Sequence, residues 1–408
     1  MTYAIGGSTP DAEFARLASL ARPTSPLDAS HYVQRCQRVR ELMSIEGIDA
    51  LFANAGANLE YFTGMRISPS ERLLGAIIPA AGDIQYIAPA FERGTVLDYM
   101  QLPGELHTWE EHHNPYDLMA EILCGIQVKD GHLAIDPDAP FFLFEGLRKA
   151  LRGFDFTSGA NVVNGCRSRK SAAEIACLQH AKTLTLEVHK SAARILHEGI
   201  TTTDVTRFIN SAHRYAGAPG GSSFCIVLFG GATAFPHGVR EPQTLQPGDW
   251  VLIDTGCRIN GYHSDITRCY AFGSPTARQR EAFDIEKEAQ AAAFDAAVLG
   301  ASCEAVDAAA RRVLESYGFG PGYTLPGLPH RTGHGCGLQI HEPPYLVRGD
   351  RTPLAPGMVF SNEPMLVLPG EFGVRLEDHF YMSDSGPIWF TEPSLSVDDP
   401  FASLADDN

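Results

Sequence analysis

No apolar run in this 408-residue sequence approaches the roughly 20 residues needed to cross a bilayer, so a membrane-spanning protein is not expected. The opening residues, MTYAIGGSTPDAEFARL, lack the charged start and apolar stretch of a signal peptide, and a cytoplasmic location is expected. Nine cysteines lie scattered from Cys36 to Cys336, odd in number and without a C-x-x-C pair. That argues against a disulfide framework and against a structural zinc site. Positive charge is scarce: 32 Lys+Arg face 49 Asp+Glu, a formal net charge of -17. Nonspecific nucleic-acid binding, which needs a basic surface, is therefore disfavoured. The absence of internal repeats and low-complexity tracts removes solenoid and propeller architectures.

What is present is a soluble globular composition, 44% hydrophobic and 20% charged, in a chain long enough for two domains. Residues 1–29 read as a polar lead-in. From residue 30 to 160 an α/β alternation is expected. YVQRCQRVRELMSIEGIDALFANA reads as a helix stopped by Gly47 and running into a strand, and LLGAIIPA, DIQYIAPA and HLAIDPDAP read as further strands. Near ANVVNGC a strand is expected to end, and a second domain, 161–408, to begin. Its first long helix starts at the capping signature Ser171-x-x-Glu174. Two further helices are expected over about 277–298 and from Cys303 to Tyr317, among strands in CIVLFGG, DWVLIDTGCRI, YHSDITRCYAF, MVFSNEPMLVL and FGVRLEDHFYM.

Carboxylates inside apolar strands ask for partners. Asp254 follows three apolar residues in VLIDTG, and Asn260-Gly261 is a strong hairpin signal. With those two residues at the turn centre, Asp265 lies opposite Gly256 and diagonal to Asp254, on one face of the ribbon. Glu363 in MVFSNEPMLV and Glu377 in FGVRLEDHFYM are placed similarly, with Arg375 two residues before Glu377 on the same strand face. Such acids do not ionise together in a low-dielectric interior unless a cation offsets them. In RTGHGCGLQIHEPP, Gly333, Gly335 and Gly337 surround His334, allowing either a close backbone approach or positive φ. Imidazole with carboxylates suits a divalent transition ion, and Asp254, Asp265, His334, Glu363 and Glu377 together read as a dinuclear hydrolase centre.

The motifs IDTGCRINGYHSDITR, GHGCGLQIHEPP, SNEP and RLED resemble the successive ligand motifs of the pita-bread-fold metallopeptidases: methionine aminopeptidase, aminopeptidase P, prolidase and the metal-free creatinase. The resemblance runs from about residue 30 to 395 and includes the family's eleven-residue separation of the first two Asp residues. It implies a creatinase-like N-terminal α/β domain followed by a pita-bread catalytic domain. It also implies that Asp254 chelates one ion, Asp265 and Glu377 bridge, and His334 and Glu363 hold the other. None of the five is missing, which favours metal dependence over the creatinase branch.

The leading domain points to the Xaa-Pro-cleaving branch. His237 in AFPHG and His341 in IHEPP match substrate-side histidines of that branch, and Arg375 matches an arginine that binds a substrate carboxylate or supports the metal site. The implied activity is Xaa-Pro dipeptide hydrolysis with two divalent ions, manganese first among manganese, cobalt, zinc and iron. Glu363 acts as acid-base residue, and the chain is expected to be a homodimer. Aminopeptidase P activity on longer peptides is the alternative. A silent interaction module usually loses ligands, and the family branch that cleaves dimethylsulfoniopropionate has an acid where this chain has Gly256.

Overall fold

The computed structural model describes residues 5–22, 25–128 and 131–401; parts of the expected lead-in and the extreme C-terminus lie outside them. The chain forms two compact units, one from Pro26 to Arg167 and one joining the residues up to Ser25 with those from Ser168 on. The lead-in is therefore not a separate segment. Thr9 accepts from the Ala12 N–H and Pro10 occupies the first turn, starting a helix over Pro10–Leu20. Its Leu17 is wholly buried in the core of the second unit, and Phe14 stacks on Phe208.

The smaller unit is built on a six-stranded sheet. From one edge its strands are Gly104–Trp109, Ile84–Pro89, Gly75–Pro79, Ala50–Asn54, His132–Ile135 and Asp155–Ser158. Gly47, at φ 66, ends the helix Ala29–Glu46 as the sequence suggests. The expected strand end falls at Ser158, just before ANVVNGC, which is not itself part of the strand. That stretch forms the helix Ala160–Arg167, following the strand Asp155–Ser158.

In the larger unit the strand Trp250–Ile259 lies between Ser222–Phe229 and Ile266–Ala271. Its two faces serve two cores. Val251, Ile253 and Cys257 pack with helices Ala172–Arg194 and Thr202–Ala216, whereas Trp250 and Leu252 pack with helices Ala277–Ala296 and Cys303–Ser316. Coverage of both faces explains the unbroken apolar run before Asp254. Ser171 and Glu174 close the expected capping box. Helix Thr202–Ala216 was not anticipated. Its β-branched opening, TTTDVT, has weak helix propensity, and the signals that mark it are the Thr201–Asp204 capping box and Gly217 in the left-handed region. A five-stranded sheet runs in the order Glu342–Leu346, Gly333–Gly335, Val359–Asn362, Asp378–Ser383 and Gly386–Trp389. A separate ribbon pairs Met365–Leu368 with Phe372–Arg375.

Two histidines of this unit are held neutral inside the packing. Ser222 Oγ lies 3.0 Å from His213 Nδ1 and Thr185 Oγ1 3.2 Å from its Nε2, while His189 Nε2 donates to the Ile266 carbonyl at 2.9 Å. Burial lowers the pKa of His213 to about 4; burial, aided by Arg268, lowers that of His189 to about 3. Above the unfolded pKa of about 6.5 both states are neutral and stability is full. As pH falls below it the unfolded chain takes up protons first, and stability is lost until the folded pKa values are reached. At about 1.4 kcal/mol per unit the loss is roughly 3 kcal/mol or more for each residue. Urea-unfolding midpoints are expected to fall between pH 6.5 and 4.5, and less steeply in His213→Gln; equal slopes would contradict this.

Candidate metal centre

The turn at Asn260-Gly261 sets the geometry. Their φ values are 49 and 90, both positive as a type I′ turn requires. Ile259 pairs with Tyr262 and Arg258 with His263; beyond a short break, Ile266 pairs with Thr255 and Thr267 with Asp254. This is the expected register, with Asp265 opposite Gly256 and diagonal to Asp254. A Cβ at Gly256 would meet the Ser264 carbonyl oxygen at 1.9 Å, so no side chain fits there.

Three of the acids occupy breaks between strands. Asp265 lies between His263 and Ile266, Glu363 between Asn362 and Met365, and Glu377 between Arg375 and Asp378. Arg375 and Glu377 do not share a strand as expected: the chain leaves the two-stranded ribbon after Arg375 and enters the five-stranded sheet at Asp378. At the crossing the Glu377 N–H donates to the Thr267 carbonyl at 3.2 Å, tying it to the central sheet. Glu363 occupies the matching crossing on the neighbouring strand. His334 sits at a bulge in the pairing with Glu342–Leu346. The glycines beside it serve close approach and not positive φ. A Cβ at Gly333 would meet Ser361 O at 2.0 Å, and one at Gly335 would meet Glu342 O at 2.4 Å.

These elements converge on one buried cluster. His334 Nε2 lies 3.0 Å from Glu363 Oε1 and 3.6 Å from Asp265 Oδ2. Ser361 Oγ donates to Glu363 Oε1 at 3.0 Å, and His334 Nδ1 lies 2.9 Å from the Gly335 carbonyl oxygen. Thr267 Oγ1 donates to Glu377 Oε2 at 2.7 Å and accepts from Arg375 Nε at 3.0 Å. Arg375 Nη2 donates to Asp254 Oδ2 at 2.5 Å, and its Nη1 to the Pro236 carbonyl at 3.2 Å. Three sets of donor atoms lie within 4.8 Å of one another: His334, Glu363 and Glu377; Asp265, Glu377 and His379; and Asp265, His334 and His341. Asp254 belongs to none of the three and is engaged by Arg375.

The donor set fits divalent cations. Asp254 Oδ1, Asp265 Oδ1 and Glu377 Oε1 are buried without a hydrogen-bond partner, a costly arrangement that a cation relieves. Burial first, then the neighbouring carboxylates, push the Asp254 and Glu377 carboxyls well above their ordinary pKa, Asp254 despite Arg375. Burial also opposes charge on Glu363, yet His334 beside it holds its pKa well below the carboxylate range. The pKa of His334 rises in turn, the adjacent acids outweighing burial.

His341 is exposed, its ring centroid 4.2 Å from that of His334, and burial followed by His334 lowers its pKa. His237 is exposed at the rim, next to the Pro236 carbonyl that Arg375 holds. The Arg375 side chain is 4% exposed with all three nitrogens engaged. Of the two roles implied for it, support of the metal site is the one these bonds to Asp254 and Thr267 match.

Several site residues escaped the sequence reading. His330 is half-buried at the residue level, with Nε2 enclosed and unpartnered; burial lowers its pKa, against the pull of Glu363. Lys170 Nζ bonds Glu342 Oε1 at 2.6 Å, both side chains almost fully buried, anchoring the segment next to His341. His379 completes one donor set. For His379 the signal was a polar residue next to the apolar FYM in LEDHFYM, whereas Lys170 in CRSRKSAAE and His330 in LPHRTGH sit in polar surroundings that give none.

Donors gathered from strands that cross between sheets define a metal-dependent hydrolase of the pita-bread class. Residues 176–384 match metallopeptidase family M24, and residues 35–169 match the creatinase/prolidase N-terminal domain. The chain belongs to that family. It is 31% identical to the putative dipeptidase YkvY of Bacillus subtilis over 361 residues, 88% of this chain and 98% of that one. The crystal structure of dipeptidase PepE from Mycobacterium ulcerans superposes with a TM-score of 0.83 at 31% identity, covering 90% and 97% of the two chains. Recombinant prolidase from Thermococcus sibiricus gives 0.81 at 29% identity, covering 90% and 98%.

Proposed function

We propose that this protein hydrolyses the Xaa-Pro bond of dipeptides with two divalent ions. The observation that carries the reading is the set of partnerless buried carboxylate oxygens on Asp254, Asp265 and Glu377 around the His334–Glu363 pair. Asp254, Asp265, His334, Glu363 and Glu377 would hold the ions. When bound, such a pair of ions supplies a water of lowered pKa and polarises the scissile carbonyl.

The chain's own residues do the rest. Glu363, kept deprotonated beside His334, accepts the proton of the attacking water and delivers it to the departing proline nitrogen. His237 and His341, both exposed at the site, donate to the carbonyl oxygen as charge develops there and position the imide. Arg375 and Thr267 orient Asp254 and Glu377 from behind.

Manganese is our choice of ion; cobalt, zinc and iron suit the same nitrogen and oxygen donors. We further propose a cytoplasmic homodimer, following the family resemblance; among the described residues no helix is long and apolar enough to cross a membrane. The dipeptide preference follows the dipeptidase and prolidase names of the similar proteins. The test is proline release from Ala-Pro beside cleavage of Ala-Pro-Ala. Turnover of Ala-Pro at least about ten-fold faster, a difference of about 1.4 kcal/mol, is expected. Preferential cleavage of the tripeptide at its first bond makes the protein an aminopeptidase P instead.

A further inference from the structure

We propose that His379 is a sixth protein donor at this centre, an imidazole that binds a divalent cation together with Asp265 and Glu377. His379 lies on the strand Asp378–Ser383, opposite Ser361 in the register. Cross-strand partners share a face, and Ser361 already reaches the cluster through Glu363 and His334. Asp378 points the other way, to Arg268. The His379 side chain is 0% exposed, and neither ring nitrogen has a hydrogen-bond partner.

Its Nε2 stands 3.4 Å from Glu377 Oε1, an oxygen that is itself without a partner. Asp265 offers a further donor atom, with all three residues' atoms within 4.8 Å of one another. Packing alone does not account for this arrangement, because a buried imidazole with both nitrogens idle is unfavourable where an apolar side chain would fit. A cation among the three satisfies the ring and both acids, and imidazole with carboxylates is a donor set that manganese, cobalt, zinc and iron accept. Asp254 has Oδ2 on Arg375 and only Oδ1 left for an ion, so His379 supplies a further donor beside Asp265 and Glu377.

The inference rests on the two-ion reading but not on the substrate. Chelator-stripped protein is loaded with cobalt(II), and the hyperfine-shifted ring N–H proton resonances, one for each ligating imidazole, are counted in wild type, His341→Ala and His379→Gln. The His341→Ala variant removes the exposed imidazole nearest His334 and leaves the interior intact. Two resonances are expected to persist in it, from His334 and His379. His379→Gln is expected to lose one resonance relative to wild type and to bind cobalt about ten-fold or more weakly. A single resonance in His341→Ala overturns the proposal, whether or not His379→Gln folds. Wild-type protein that takes up no cobalt overturns the two-ion reading with it, whereas cobalt uptake with one imidazole in His341→Ala defeats His379 alone.

Discussion

Replacing Asp265 or Glu377 by alanine is expected to abolish loading of the metal pair and to lower kcat/KM for Ala-Pro by on the order of a thousandfold or more. Each residue takes part in two of the three donor sets, so either loss depletes more than one of them. Metal activation contributes several kcal/mol to the transition state, and each 1.4 kcal/mol or so is a factor of ten in rate. Stability is expected to move the other way. In metal-free protein the buried acids repel one another, and this repulsion helps raise the pKa values of Asp254 and Glu377. Removing one acid relieves it, so metal-free Asp265→Ala should melt no lower than metal-free wild type. Elemental analysis, proline release and calorimetry on the same samples check all three outcomes. Full metal content with full activity in either variant contradicts the ligand assignment.

The largest effect on stability is expected at Arg268. Its guanidinium pairs with Asp378 at 2.7 and 3.1 Å, both side chains 0% exposed. It also donates to the Thr267, Glu377 and Glu392 carbonyls. Truncation to Met leaves Asp378 buried without its cation, a change that costs about 3–5 kcal/mol. For a unit of this size that corresponds to a fall in Tm of roughly 10 °C. The double variant Arg268→Met/Asp378→Asn removes the stranded charge as well and is expected to recover part of the loss, a coupling that calorimetry reads directly. Additive losses would show that the pair is not the source of the effect. Because Arg268 also holds the Glu377 carbonyl, weaker metal binding should accompany the single variant.

Local chemistry explains what the sequence disclosed. Asn260-Gly261 accepts the two positive φ values of a type I′ turn, and two-residue side-chain alternation then fixes Asp265 relative to Asp254. Gly47 and the Ser171–Glu174 box mark helix ends for similarly local reasons. The crossing at Leu376-Glu377 was not legible. FGVRLEDHFYM reads as one strand, and only the pairing of its halves with different partners, Met365–Leu368 and Val359–Asn362, breaks it. Arg375 was ambiguous for a related reason, since a guanidinium suits a substrate carboxylate as well as Asp254, and its pairing with Asp254 depends on tertiary packing. His379 was overlooked because its neighbours Glu377 and Asp378 already accounted for the polarity of that stretch, and its orientation depends on the strand register.

The most direct test of the central claim is an Ala-Pro hydrolysis assay on chelator-stripped protein titrated with manganese(II). The account predicts no proline release without metal and recovery that saturates at about two ions per chain. Undiminished release by metal-free protein, or two bound ions with no Xaa-Pro dipeptide cleaved, contradicts it.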